Sequence, residues 1–221
     1  MTDLIEKIYR YLEHNTGSFN MVLEVIPPVL AAALIYFLIR RHWQKKSLGS
    51  EFKAKREAAF WNEFIRLLLV CSVCAIIFIG VFPYNFWRKL WDYLIYHTVT
   101  PPAGGGGSGW RYTPYVISWI EYGEIRSSDL EDLLLNIVFF MPLGLFLPLI
   151  MKKPALWRVT LIGFIFTVLV EASQLFTNHQ SDINDVIANT LGAFAGYLVY
   201  LAVKKLFPGF TEKCRVTVWG S

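Results

Sequence analysis

Glu171 and Gln174 stand three residues apart at the end of one apolar run, and Asp182, Asp185 and Asn189 open the next. Asn136 lies near the start of a third run. Carboxylates and amides in such surroundings can transfer protons, bind a ligand headgroup or bond helix to helix. An ionisable group costs roughly 2.5–3.5 kcal/mol at the centre of a membrane helix and less near its edge, so Glu171 is expected to face a cavity or a partner. Asp182 suits an N-cap and Asp185 a first turn, where the helix dipole favours negative charge. Neither role excludes binding. Asn136 and Asn189 suit interhelical hydrogen bonds as well as a ligand, and Gln174 suits interfacial water. His179 is an exposed turn residue, a pH-sensitive partner of Glu171 or a metal ligand, the exposed turn being the commoner case. The candidate ligand-binding set is therefore Asn136, Glu171, Gln174, His179, Asp182, Asp185 and Asn189. Glu171 is the candidate acid or base should a reaction occur.

Helical spacing groups these residues further. Glu171 and Gln174 share one face; Asp185, Asn189, Gly192 and Gly196 share another. Gly192 and Gly196 make a Gly-x-x-x-Gly step that lets two membrane helices approach closely, within one chain or between two. The polar side chains on that stripe are expected to point into the bundle.

The composition requires a membrane. The chain of 221 residues is 55% hydrophobic and 17% charged, with a mean hydropathy of +0.42, whereas soluble domains carry about 25% charge. Five stretches reach the roughly 20 apolar residues a crossing needs: 21–39, 63–81, 132–151, 156–176 and 186–207. Pro27 and Pro28 are expected to break or kink the first turns of the first, and Pro142 and Pro148 interrupt the third. Cys71 and Cys74 read as packing thiols, and Cys214 stands alone in a basic tail. Glu63 and Arg66, three apart, read as a local ion pair at a membrane edge. The expected architecture is all-α: a polytopic membrane helix bundle of about five transmembrane helices.

Basic residues set the expected orientation. Segments 40–60, 152–158 and 204–215 hold fourteen of the 21 Lys and Arg residues and alternate correctly with five crossings. Cytoplasmic loops carry the Lys/Arg excess, so the N-terminus is expected outside and the C-terminus in the cytoplasm. All the candidate polar residues then fall at the outer end. Residues 1–20 read as an amphipathic helix, lying on the outer surface or packed on an outer domain, with no cleavable signal peptide. Residues 21–81 hold the first two spans and a basic loop. Residues 82–131 form an aromatic-rich extracellular segment: an interfacial helix, a Gly-rich linker, then a surface hairpin or re-entrant stretch. Residues 132–207 form a three-helix core, and 208–221 a cytoplasmic tail.

Three motifs, in order, carry a resemblance. "LLLNIVFFMPLG" (133–144), Glu-x-x-Gln at 171–174 and "DINDVIANTLGAFAGY" (182–197) resemble the pattern of the VanZ-like membrane family. The likeness covers the last three spans, and extends at most to the second. The family usually has Arg three residues before the first Asp of the last motif. Here that position is His179, with Arg88, Arg111 or Arg126 as substitutes on the same side. The resemblance implies a bacterial plasma-membrane protein that lowers susceptibility to teicoplanin-type lipoglycopeptides.

Three functional classes follow as expectations. The leading one is non-enzymatic: an outer-leaflet pocket binding a lipid-tailed ligand, either the antibiotic or a lipid-linked envelope precursor. Membrane lipids are the expected partners, with a homodimer open and no nucleic acid. The second is an enzyme using Glu171 as general acid or base on a lipid-linked substrate. The third is a lipid transporter or scramblase, against which stand the apolar middles of the last three spans. No cofactor or metal is assigned, because the chain lacks His-Glu-x-x-His, paired Cys and Gly-rich phosphate-loop patterns.

Overall fold

The computed structural model describes residues 18–48, 59–82, 86–87, 90, 93–94, 109–174 and 180–215. The N-terminal amphipathic segment, most of 82–108 and His179 lie outside the described residues. In chain order the elements are α1 (Ser18–Leu48), α2 (Phe60–Val81), β1 (Gly109–Arg111), α3 (Tyr115–Tyr122), α4 (Ser127–Ile150), α5 (Leu156–Gln174), β2 (Gln180–Asp182), α6 (Ile183–Leu206) and α7 (Pro208–Arg215).

Helices α1, α2, α4, α5 and α6 are each long and apolar enough to cross a membrane, and the protein is a multi-pass helical membrane protein. Four helices begin earlier than the apolar pattern alone predicts: α1, α2, α4 and α6. The start of α4 at Ser127, not Asp132, is held by Asp129, whose buried carboxylate accepts from Trp119 Nε1 and Arg126 Nε, each at 3.2 Å. The start of α6 at Ile183, not Val186, follows from the Asp182 cap.

Glycine sets the tightest packing. A Cβ on Gly192 would overlap the Ile137 carbonyl of α4, one on Gly196 the Met141 carbonyl, and one on Gly144 the Ala193 carbonyl of α6. The small-residue step is thus spent on α4 within the chain. Ala193, wholly buried, also meets Gly163 of α5, so α4, α5 and α6 form the core. Helix α2 packs beside them, with Gly80 against Val170, and α1 lies outermost, against α2.

Pro27 and Pro28 do not break α1, which stays helical from Ser18 to Leu48. Pro28 has no N–H to give the carbonyl four residues back, that of Glu24. The Trp87 indole N–H donates to that carbonyl instead, at 2.8 Å. Neighbouring side chains of this kind are what let proline stand in a membrane helix.

The expected Glu63–Arg66 ion pair does not form. Glu63 reaches across to α1, accepting from Tyr36 Oη and Arg40 Nε, both at 2.9 Å, and from Arg40 Nη2. Arg66 donates to Asn62 Oδ1 at 2.7 Å. The interhelical arrangement satisfies three donors of α1 at once, the Tyr36 hydroxyl and two Arg40 N–H groups.

The 110–125 stretch is not a hairpin. Strand β1 pairs in parallel with β2, Trp110 opposite Ser181 and Arg111 opposite Asp182. The chain then turns at Pro114 into α3, whose Tyr115 and Trp119 stack one turn apart. Gly123, at φ 68°, ends α3 in a left-handed conformation that favours glycine. Apart from these two three-residue strands, the described residues are all-α, as expected.

The C-terminal stretch also folds back. Helix α7 buries Cys214 in a cluster with Ile65, Leu149, Val159, Tyr197 and Tyr200. Asn62 Nδ2 donates to the Cys214 carbonyl, and Arg215 donates to Tyr200 Oη at 3.0 Å.

Candidate functional site

The bundle has two chemically distinct ends. Arg40, Lys152, Lys153, Lys204 and Lys205 mark a basic end. Glu171, Asp182 and Asp185 mark a carboxylate end, where α5 finishes and α6 begins.

Local chain geometry builds the carboxylate end. The last carbonyls of a helix and the first amides of the next lack helical partners. Ser181 Oγ donates to the Glu171 carbonyl oxygen at 2.7 Å. Glu171 Oε2 in turn accepts from the Asp182 N–H at 3.1 Å. Asp182 Oδ1 then caps α6, accepting from Asn184 N at 2.9 Å and Asn184 Nδ2 at 2.7 Å. Asn184 ties in the preceding segment: its Oδ1 accepts from Tyr115 N at 2.7 Å and its Nδ2 donates to the Thr113 carbonyl at 3.4 Å. The turn therefore joins α5, α6 and the approach to α3 through buried hydrogen bonds.

Below the turn the helices bond side chain to side chain. Asn136 Nδ2 of α4 donates to Asp185 Oδ1 of α6 at 2.6 Å. Asn189 Nδ2 of α6 donates to Thr167 Oγ1 of α5 at 2.8 Å. Thr167 lies one turn from Glu171 and Asn189 one turn from Asp185. Among the described residues, the carboxylates of Asp185 and Asp182 act on Glu171. Helices α5 and α6 thus face each other through two rungs, Glu171 with Asp185 and, deeper, Thr167 with Asn189. Glu171 is 1% exposed and Asn189 4%.

Of the sequence-predicted residues, Asn136, Glu171, Asp182, Asp185 and Asn189 converge. Gln174 is half-buried at the end of α5, and His179 lies outside the described residues. Among the arginines considered as substitutes, Arg126 pairs with Asp129. The backbone of Arg111 stands opposite Asp182, and Arg88 lies outside the described residues. Sequence reasoning missed Thr167, Ser181 and Asn184. Thr167 had a usable signal: it stands four residues before Glu171, on the same helical face. Ser181 and Asn184 had none beyond their motif, because their partners are 10 and 69 residues away.

Beside this end runs an apolar groove of about 610 Å³ between α1 and α2, lined by Pro28, Leu69, Val73, Cys74, Phe78 and Trp87 among others. Gly80, two residues past Phe78, packs on Val170, the neighbour of Glu171. Polar cluster and groove therefore share one end of the bundle. Phe140, Leu143, Ile76 and Val170 form one buried apolar cluster among α2, α4 and α5.

A glycine-locked bundle of five candidate spans, with a buried carboxylate–amide cluster at one end, defines a multi-pass helical membrane protein with a polar terminal site. The VanZ/LLP1 family model matches residues 9–204, and the chain belongs to that family. The match takes in the first span and the Gly-rich linker, which the motif resemblance alone did not reach. No curated protein and no solved structure matches the chain.

Proposed function

We propose that this protein acts in the bacterial plasma membrane to lower susceptibility to teicoplanin-type lipoglycopeptides, by holding a lipid-tailed ligand at the carboxylate end of the bundle. Family membership supports the link to glycopeptide resistance. The observation that carries the binding reading is the convergence of Asn136, Glu171, Asp185 and Asn189 from three helices beside an apolar groove. A buried glutamate is costly in a membrane and is retained where it faces a partner or cavity. The polar cluster receives the headgroup and the groove the tail. The basic end faces the cytoplasm and the carboxylate end the outer leaflet, by the distribution of Lys and Arg.

The test is susceptibility in cells expressing the wild type, Glu171→Gln or Asn189→Leu, with protein levels and folding measured alongside. Both variants are expected to restore sensitivity to teicoplanin while remaining folded. If both fold normally and susceptibility does not change, the reading is wrong. A thiol-reactive, membrane-impermeant label applied to intact cells is expected to reach Tyr112→Cys and not Lys153→Cys. The reverse pattern overturns the orientation.

A further inference from the structure

Among the described residues, two buried side chains at the carboxylate end, Glu171 and Asn189, have acceptor sites left open. A carboxylate has about four acceptor sites. Glu171, almost wholly buried, receives the Asp182 N–H as its hydrogen bond among the described residues. Asn189 donates through Nδ2 to Thr167, while its buried Oδ1 receives no hydrogen bond among the described residues. That oxygen stands on the deeper rung, one turn from Asp185 on its own helix and across from the face that carries Glu171. A buried polar atom left without a partner costs about 1–3 kcal/mol, so such an atom in a folded protein calls for an explanation.

Glu171 itself brings a carboxylate to these acceptors. An anionic headgroup supplies no donor and adds repulsion. A hydroxyl brings one donor and two acceptor lone pairs. A metal ion is a poor fit, because no three of His, Cys, Asp and Glu among the described residues are grouped closely enough to hold one. A primary ammonium brings three donors, no acceptor and the opposite charge.

We infer that the Glu171–Asn189 site takes the primary ammonium group of an amphiphile. The inference rests on the lipid-tailed ligand proposed above and names the chemistry of its head. The ammonium sits between the two rungs, donating to Glu171 and to Asn189 Oδ1. The ammonium can come from an ethanolamine-type lipid headgroup or from an amine on a lipid-tailed antibiotic.

The test uses the full chain, purified in detergent, and four probes of equal tail: dodecylammonium, dodecyltrimethylammonium, dodecyl phosphate and dodecanol. Dodecylammonium is expected to bind at least tenfold tighter than the other three, including the trimethyl form, which keeps the charge and loses every N–H. Glu171→Gln and Asn189→Ala are each expected to weaken dodecylammonium about tenfold and to leave dodecyl phosphate unchanged. Should Glu171→Gln fail to fold, Asn189→Ala carries the same comparison. Competition by ethanolamine-headgroup but not glycerol-headgroup lipid assigns the amine to the bilayer. Competition by teicoplanin but not by its N-acetylated form assigns it to the antibiotic. Equal affinity for all four probes overturns the ammonium inference and leaves the lipid-tail reading standing. Binding of none overturns both.

Discussion

Asn136 Nδ2 donates to Asp185 Oδ1 at 2.6 Å and joins α4 to α6 at the carboxylate end. Interhelical hydrogen bonds in membrane proteins contribute on average about 0.6 kcal/mol and at most about 1.7. Asn136→Leu is therefore expected to lower stability by about 1 kcal/mol, read from unfolding in mixed detergent micelles. Asn136→Asp sets a like charge against Asp185 and is expected to cost more. If the Leu variant is as stable as wild type, the bond contributes nothing.

The close approach of α4 and α6 rests on glycine. A Cβ at Gly144 runs into the Ala193 carbonyl, and backbone cannot yield as a side chain can. Gly144→Ala is expected to destabilise by about 1–3 kcal/mol, the usual range for overpacking. Gly209 in α7 has open space around it, so Gly209→Ala should be neutral or slightly stabilising. Thermal melts of the two variants side by side check the contrast.

Glu63 accepts from both Tyr36 and Arg40 and thereby fastens α1 to α2. Its side chain is 17% exposed, so solvent screens the pair only in part. Hydrogen bonds to charged groups contribute about 1.5–3 kcal/mol. A double-mutant cycle of Glu63→Gln and Arg40→Met should return a coupling near the lower end of that range. A cycle of Glu63→Gln with Arg66→Met should return almost none.

Burial in the α7 cluster pushes the Cys214 thiol up to about 11. A thiolate is the reactive form, so Cys214 is expected to resist alkylation at pH 8 in the folded protein and to react quickly after unfolding. The sign of the stability effect follows. The folded state holds the proton more tightly than the unfolded one, so the contribution is present below pH 9 and is lost as the pH rises toward 11. Cys214→Ala should flatten that part of the stability–pH curve. A Cys214 that labels as fast folded as unfolded contradicts this.

The helical spans were legible because hydropathy is a local property: a run of about 20 apolar residues must satisfy its backbone internally wherever lipid surrounds it. The stripe of Asp185, Asn189, Gly192 and Gly196 was legible for the same reason, since helical spacing places the four on one face whatever packs against it. The Asp182 cap needed only its immediate neighbours.

What packs against each face is not local. Sequence alone left open whether the glycine step serves one chain or two; only the fold sets it against Ile137 and Met141 of α4. The Glu63 ion pair was misassigned to Arg66 because spacing along one helix shows a candidate three residues away and hides Arg40, 23 residues back on another. Likewise, an apolar-and-aromatic stretch at 110–125 fits several conformations by itself. The pairing of β1 with β2 and the bonds from Asn184 to Thr113 and Tyr115 select one. Residue type and spacing determined which groups are polar and which face of each helix they occupy. Tertiary packing decided which of their hydrogen bonds are filled, and so left the Asn189 oxygen open, because a hydrogen bond depends on distances between helices that no single helix specifies.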